Sequence, residues 1–231
     1  MPSNEENNPS PYTRWHMLPL ESIDLTDGFW AERQRINRQV SLAHGYRMLE
    51  KAGNFANLCI AGGSSKGQYR GREFADSDVY KWLEAAAYEL HCHFDEELQK
   101  KVDQAIEYVT AAQQEDGYLN SYFQLTRPEE RWTDLDFGHE LYCAGHLFQA
   151  AAAHFRATGS HKLLEVATRF ADHISAVFGP GKRPGAPCHP EVEMALVELY
   201  RATGKQAYLD LAKFFIDQRG QGKMRGLGWM G

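Results

Sequence analysis

Two histidines, each at the head of a repeated unit and each near an acid, carry the clearest chemical potential in this chain: His139-Glu140 and His189-Pro190-Glu191. Imidazoles make directed hydrogen bonds and move protons near neutrality, and carboxylates serve as acceptors, acids or bases. Each unit then reads helix, Ala-Thr-Gly, helix, at Ala157-Thr158-Gly159 and again at Ala202-Thr203-Gly204. The copies lie 45 residues apart, from Thr158 to Thr203. The register continues beyond the turn, where Leu164, Ala167, Phe170 and Asp172 align with Leu209, Ala212, Phe215 and Asp217. That is one apolar helix face written twice. Equivalent histidines in neighbouring hairpins place chemistry where the hairpins begin.

Each candidate also has a plainer reading. A histidine at a helix start can be a cap or a buried hydrogen-bond partner. His146, seven residues after His139, shares its helix face and permits a metal pair in principle. No third ligand stands at a matching spacing, so packing is the favoured role for His146. Asp76 and Asp78 precede a helix, and N-capping accounts for at least one of them. Glu140 with Asp78 or Glu191 would make a glycosidase carboxylate pair only at a separation that sequence does not specify. Gln114-Glu115-Asp116-Gly117-Tyr118 is first a glycine turn and second a way to present Tyr118 to a ligand. The cysteines at 59, 92, 143 and 188 form no C-x-x-C pair, which excludes a zinc knuckle or a thioredoxin motif. Cys188, beside His189, is the one cysteine with a catalytic reading.

Helices must position these residues. Residues 1–28 form an arm ending at Thr26-Asp27-Gly28, and a helix follows over about 29–49. The Gly/Ser-rich stretch 61–67 lacks phosphate-loop order and reads as a flexible surface loop. Three helix pairs come next, at 78–92 with 95–114, 138–158 with 161–178, and 189–203 with 205–219. The first helix of each pair is apolar on most faces, as in Ala150-Ala151-Ala152-Ala153, and the second is amphipathic. All-round apolarity calls for burial on all sides, which predicts an all-α fold of inner helices wrapped by outer ones. Turns within pairs are short and links between pairs long, so the links and all inner-helix N-termini fall on one face. That face collects Asp76, Ser77, Asp78, Tyr80, Asp116, Tyr118, Trp132, His139, Glu140 and His189. Aromatics among acids and histidines suit a sugar, whose C–H faces stack on rings while its hydroxyls take directed bonds.

Composition narrows the class. The 231 residues are 43% hydrophobic, enough for one sizeable core, with a net charge of -6 and a pI near 5.9. No basic stripe is present for a phosphate backbone, so nucleic acid is not an expected partner. No window is apolar enough to span a bilayer, and residues 1–15 lack a leader's basic and apolar regions. The expectation is a soluble, cytoplasmic protein.

Phe74-Ala75-Asp76-Ser77-Asp78-Val79-Tyr80-Lys81-Trp82-Leu83-Glu84, Gln114 to Leu119, His139-Glu140-Leu141-Tyr142 with Gly145-His146, and His189-Pro190-Glu191 through Arg219-Gly220 resemble the N-terminal part of glycoside hydrolase family 127. The resemblance, from about Leu25 to Gly220, implies part of an (α/α)6 barrel that releases terminal β-L-arabinofuranose from glycans with retention. It implies that His139 and His189 hold the sugar's hydroxyls, and we add Asp78, Tyr80, Tyr118 and Glu140 as candidate substrate-binding residues. In that family a zinc-bound cysteine is the nucleophile and a glutamate the acid/base, both from segments C-terminal to the matched part. The expectation is therefore a sugar-binding half with no catalytic or metal ligands of its own, barrel residues 29–220, and a Gly-rich tail at 221–231. Two alternatives remain: a sugar epimerase using paired histidines for proton transfer, and a non-catalytic carbohydrate-binding piece. An open ring also exposes apolar helix flanks, which favours homo-association.

Overall fold

The computed structural model describes Leu18 and residues 22–221. Most of the arm and the tail beyond Gln221 lie outside the described residues. Among the described residues ten α-helices run in order: α1 (Gly28–Ile36), α2 (Leu42–Ala52), α3 (Asn54–Ala61), α4 (Ala75–Cys92), α5 (Glu96–Ala112), α6 (Ser121–Thr126), α7 (Glu140–Thr158), α8 (Lys162–Val177), α9 (Val192–Thr203) and α10 (Gln206–Gln218). A π turn at Asn37–Ser41 joins α1 to α2. Among the described residues the sole β pairing is an isolated bridge between Phe178 and Arg183. The all-α expectation holds, and the three predicted pairs are α4/α5, α7/α8 and α9/α10.

The repeated turn has one geometry in both copies. Gly159 and Gly204 each sit at φ 71°, where a side chain would be strained, and close the helix before them. Thr158 and Thr203 donate their hydroxyls to His154 O and Leu199 O, each at 2.7 Å. The same hydroxyls accept the amides of Ser160 at 3.2 Å and Lys205 at 3.3 Å. A threonine therefore serves the helix behind it and the helix ahead of it.

Helices α4, α7 and α9 pack side by side as the inner row, while α5, α8 and α10 form the outer row. Ala144, Leu147, Phe148, Ala150, Ala151 and Ala152 of α7 are all fully buried, as the all-round apolar pattern requires. Outer helices bury one stripe: on α8 it is Leu163, Val166, Ala167, Phe170 and Ile174. Two inner helices approach closely at Gly145, where an added Cβ would stand 2.7 Å from Glu191 Cγ and 3.0 Å from Val192 N.

A fourth, shorter hairpin was not expected. Gly53, at φ 93°, turns α2 into α3; α2 packs on α4 and α3 on α5. Trp82 of α4 donates to Leu42 O at 2.9 Å, and its ring would lie 3.2 Å from a Cβ at Gly45. The Gly/Ser stretch after α3 runs over the surface, but its first part is anchored rather than loose. A Cβ at Gly62 would meet the Ala111 backbone at 2.9 Å.

Large apolar side chains stand exposed near both ends of the described chain: Phe29 and Trp30 on α1, Val40 in the π turn and Met48 on α2, with Met194 on α9 and Ile216 on α10. Exposed apolar surface of this kind drives association. We expect the isolated chain to scatter light as a dimer or larger, with the mass falling toward monomer in Trp30→Glu/Met194→Glu; a monodisperse wild-type monomer would refute this.

Candidate functional site

The site begins with a tight turn. Asp134 accepts the amides of Asp136 at 3.1 Å and Phe137 at 3.0 Å through its side chain, and its carbonyl takes Gly138 N at 3.0 Å. A Cβ at Gly138 would lie 2.5 Å from Asp134 O, so only glycine fits. The chain then passes through His139 at φ 58° before α7 starts. Non-glycine residues in the left-handed region cost about 1–2 kcal/mol and persist where surroundings hold them. His139 is held by its own ring, whose Nδ1 lies 2.5 Å from Phe137 O, and by Phe74, whose ring centroid is 5.1 Å away.

His189 arrives from the loop before α9. Its ring lies 5.3 Å from that of His139 and 5.1 Å from that of Tyr142, which extends from α7 one turn below His139. Cys188 donates its thiol to Asp136 O at 2.6 Å, tying this loop to the turn before α7, and burial pushes its pKa up. That geometry gives Cys188 a structural contact and no alignment as a nucleophile. Lys81 of α4 completes the rim: its Nζ is 3.1 Å from Ser77 Oγ, 3.5 Å from Asp78 Oδ1 and 4.9 Å above the Tyr142 ring. His146 packs edge-on to Tyr142 at 4.5 Å, with Nδ1 3.4 Å from Glu191 Oε1. Burial and the nearby Lys81 ammonium push its pKa down to about 4, so near neutrality this approach is no ion pair.

The candidates from sequence thus separate into two groups. His139, His189 and Asp78 lie on the accessible side, with His189 and Asp78 exposed. Tyr80, Tyr118 and Glu140 are corrected to interior positions, at 1%, 0% and 2% exposure. Tyr118 donates to Glu140 Oε1 at 2.5 Å, and Trp132 N donates to Glu140 Oε2 at 2.7 Å. Trp132 is the second non-glycine residue at positive φ, 62°. Glu140 therefore clamps one strained residue and directly follows the other. Asp76, equally buried, takes Ser121 N at 2.6 Å and Ser121 Oγ at 2.5 Å, fixing α6 to the start of α4. Lys81 and Tyr142 were missed as site residues; their i, i+3 spacing from Asp78 and His139 was the available signal.

Burial raises Glu140 to about 7, against the lowering pull of its Tyr118 bond. A carboxyl raised in the folded state is favoured when protonated, so its contribution is lost as pH climbs from about 4.5 to about 7. His146 works in the opposite sense, adding stability as pH rises from about 4 to 6.5. The two offset over most of that range, and above about 6.5 the fall belongs to Glu140. We expect melting temperature to decline from pH 6.5 to 7.5 in the wild type and to flatten in Glu140→Gln. An unchanged slope in the variant would refute the assignment.

Inner helices whose N-termini gather an imidazole pair, a lysine and an aspartate at one end define an α/α-toroid protein with its candidate site at that end. The family described as β-L-arabinofuranosidase, GH127 catalytic domain, matches residues 22–226, and the chain belongs to it. The non-reducing end β-L-arabinofuranosidase of Bifidobacterium longum subsp. longum is 45% identical over 174 residues, spanning 72% of this chain and 26% of that protein. A GH127 β-L-arabinofuranosidase structure from Geobacillus stearothermophilus superimposes with a TM-score of 0.84 at 44% identity, over 87% of this chain and 33% of that one. Another solved GH127 β-arabinofuranosidase gives a TM-score of 0.84 at 35% identity, over 90% of this chain and 34% of its own. The chain thus spans about a quarter to a third of these relatives.

The zinc that the family resemblance implies has no fit among the described residues, which contain no group of three His, Cys, Asp or Glu able to hold a metal ion. The cysteines at 59, 92, 143 and 188 form no disulfide with one another and lie dispersed through the fold.

Proposed function

We propose that this chain is the sugar-gripping part of a β-L-arabinofuranosidase, holding a terminal L-arabinofuranose through His139 and His189. The observation that carries the reading is the convergence of the two imidazoles, 5.3 Å apart, at the shared end of α7 and α9. Nδ1 of His139 is engaged by Phe137 O, which leaves its other nitrogen for a hydroxyl. His189, exposed, offers directed hydrogen bonds from a second loop, and Asp78 and Lys81 add an acceptor and a cation at the rim. Tyr118 and Glu140 act beneath the site as supports. Bond cleavage calls for a nucleophile and an acid at the anomeric carbon; Glu140 is sealed in the core, so it cannot pair with Asp78 or Glu191 for that task.

The epimerase alternative is disfavoured by the same geometry. Proton transfer across a sugar needs bases on its two sides, and rings 5.3 Å apart leave no space between them for one. Among the described residues no helix is long and apolar enough to cross a membrane. Four cysteines outside any disulfide fit the reducing cytoplasm as the working compartment.

The test is titration of the chain with methyl β-L-arabinofuranoside by NMR, alongside p-nitrophenyl β-L-arabinofuranoside hydrolysis with and without zinc. We expect saturable binding without turnover, and about tenfold weaker binding in His139→Ala and in His189→Ala, the scale of one or two directed hydrogen bonds. Binding that ignores both substitutions, or turnover by the chain alone, would overturn the reading.

A further inference from the structure

His139 and His189 are held very differently. The His139 ring is fixed by its hydrogen bond to Phe137 O and by Phe74. Among the described residues the His189 ring makes no hydrogen bond; its recorded neighbours are the rings of His139 and Tyr142. His189 is also exposed and sits in a loop, so nothing in its own backbone pins the imidazole. Tyr142, by contrast, is half-buried on the rigid helix α7. Its ring meets four groups at once: His139 edge-on at 5.7 Å, His146 edge-on at 4.5 Å, His189 tilted at 46° and 5.1 Å, and the Lys81 ammonium 4.9 Å above its face.

We propose that Tyr142 is the positioning residue of this site, its ring setting the orientation of His189 relative to His139, with Lys81 holding that ring by a cation–π contact. The inference rests on the sugar-binding reading above for its purpose, though not for its geometry. Aromatic pairs prefer edge or tilted arrangements, so a ring presenting both edge and face to three imidazoles restricts each of them. Lys81 is itself anchored by Ser77 and Asp78, so the ring is gripped from α4 as well as from its own helix. The face is what matters: phenylalanine should serve, and an aliphatic side chain should not.

The experiment compares the 231-residue chain with Tyr142→Phe and Tyr142→Leu. Imidazole Cε1–H resonances are read first, without sugar, and the methyl β-L-arabinofuranoside titration second. His161, whose ring packs on Phe155 at 4.8 Å at the far end of α7, is the internal reference. In Tyr142→Leu we expect the His189 resonance to move, the His161 resonance to stay, and affinity to drop about tenfold, the scale of one lost aromatic pair. Tyr142→Phe should restore both to wild-type values. An unmoved His189 resonance in Tyr142→Leu, or equal loss in the Phe variant, would overturn the proposal. If the Leu variant fails to fold, Tyr142→Trp decides: an enlarged ring must displace the His189 resonance, and an unmoved one refutes the role. Should the wild-type chain ignore the sugar, the sugar-binding reading falls while the imidazole resonances still decide the positioning.

Discussion

Glu140→Ala should destabilise the protein by about 3–5 kcal/mol, the sum expected when two buried donors lose their acceptor and a cavity opens beside them. The lost carboxylate leaves the Tyr118 hydroxyl and the Trp132 amide without their acceptor, and both are buried. An unsatisfied buried donor costs about 1–3 kcal/mol. The vacated volume adds to that, because Tyr118, Trp132, Phe170 and His173 form a continuous aromatic layer around it. The cost should also reach the site, since Trp132 and His139 both hold positive φ around this carboxyl. Chemical denaturation measures the first effect and the His139 resonance the second. Glu140→Gln should recover only part, as one amide oxygen replaces two acceptors. A stability change under about 1 kcal/mol in the alanine variant would show that the network is slack.

The second large effect is expected at Gly117. Its φ is 86°, where an L side chain pays about 1–2 kcal/mol, and a Cβ there would lie 2.5 Å from Arg169 O and 3.1 Å from Arg169 C. Both obstacles are backbone of α8, which cannot rotate away as a side chain tip would. Gly117→Ala therefore combines conformational strain with a forced separation of the 113–118 turn from α8, for about 3 kcal/mol or more in all. No helix-propensity gain offsets this, as the residue lies in a turn. The shift should propagate to Tyr118, whose amide bonds Asp116 Oδ1 at 3.0 Å and whose hydroxyl is the Glu140 donor. Thermal unfolding would settle it: a melting temperature within about 2 °C of wild type means the turn can yield.

The parts of this fold that were legible in sequence share a cause. Helices α7 to α10 are long, strongly patterned and punctuated by Ala-Thr-Gly, so both period and stop signal agree. Helix α3 escaped because it has eight residues and begins straight after Gly53, with no polar linker to separate it from α2. The site divides along the same line. His139 and His189 were readable through equivalence in a repeat. Glu140 was misplaced because His139 precedes α7 in the left-handed region, a backbone turn that residue types alone do not show and that sends the next side chain to the core. Tyr80 stands two steps from Asp78, about 200° around the helix, and is buried on that account. Tyr142 stands in the His139-Glu140-Leu141-Tyr142 run without a chemical signal of its own; the proposed role comes from what its own helix, the turn before it, the loop before α9 and α4 bring to its ring.

The threonine-closed turns bear on how the chain acquires its shape. The α7/α8 and α9/α10 hairpins each seal their own corner through Thr158 or Thr203, and the main packing of each is on the neighbouring hairpin. Most of the search is then local, so little loop entropy is spent before contacts reward it. Order can spread from one hairpin to the next in the direction of synthesis, each new pair docking on a finished neighbour as it leaves the ribosome. The two histidines meet only when the α9 hairpin docks on α7, so the site is assembled late, by a folding event rather than by a ligand.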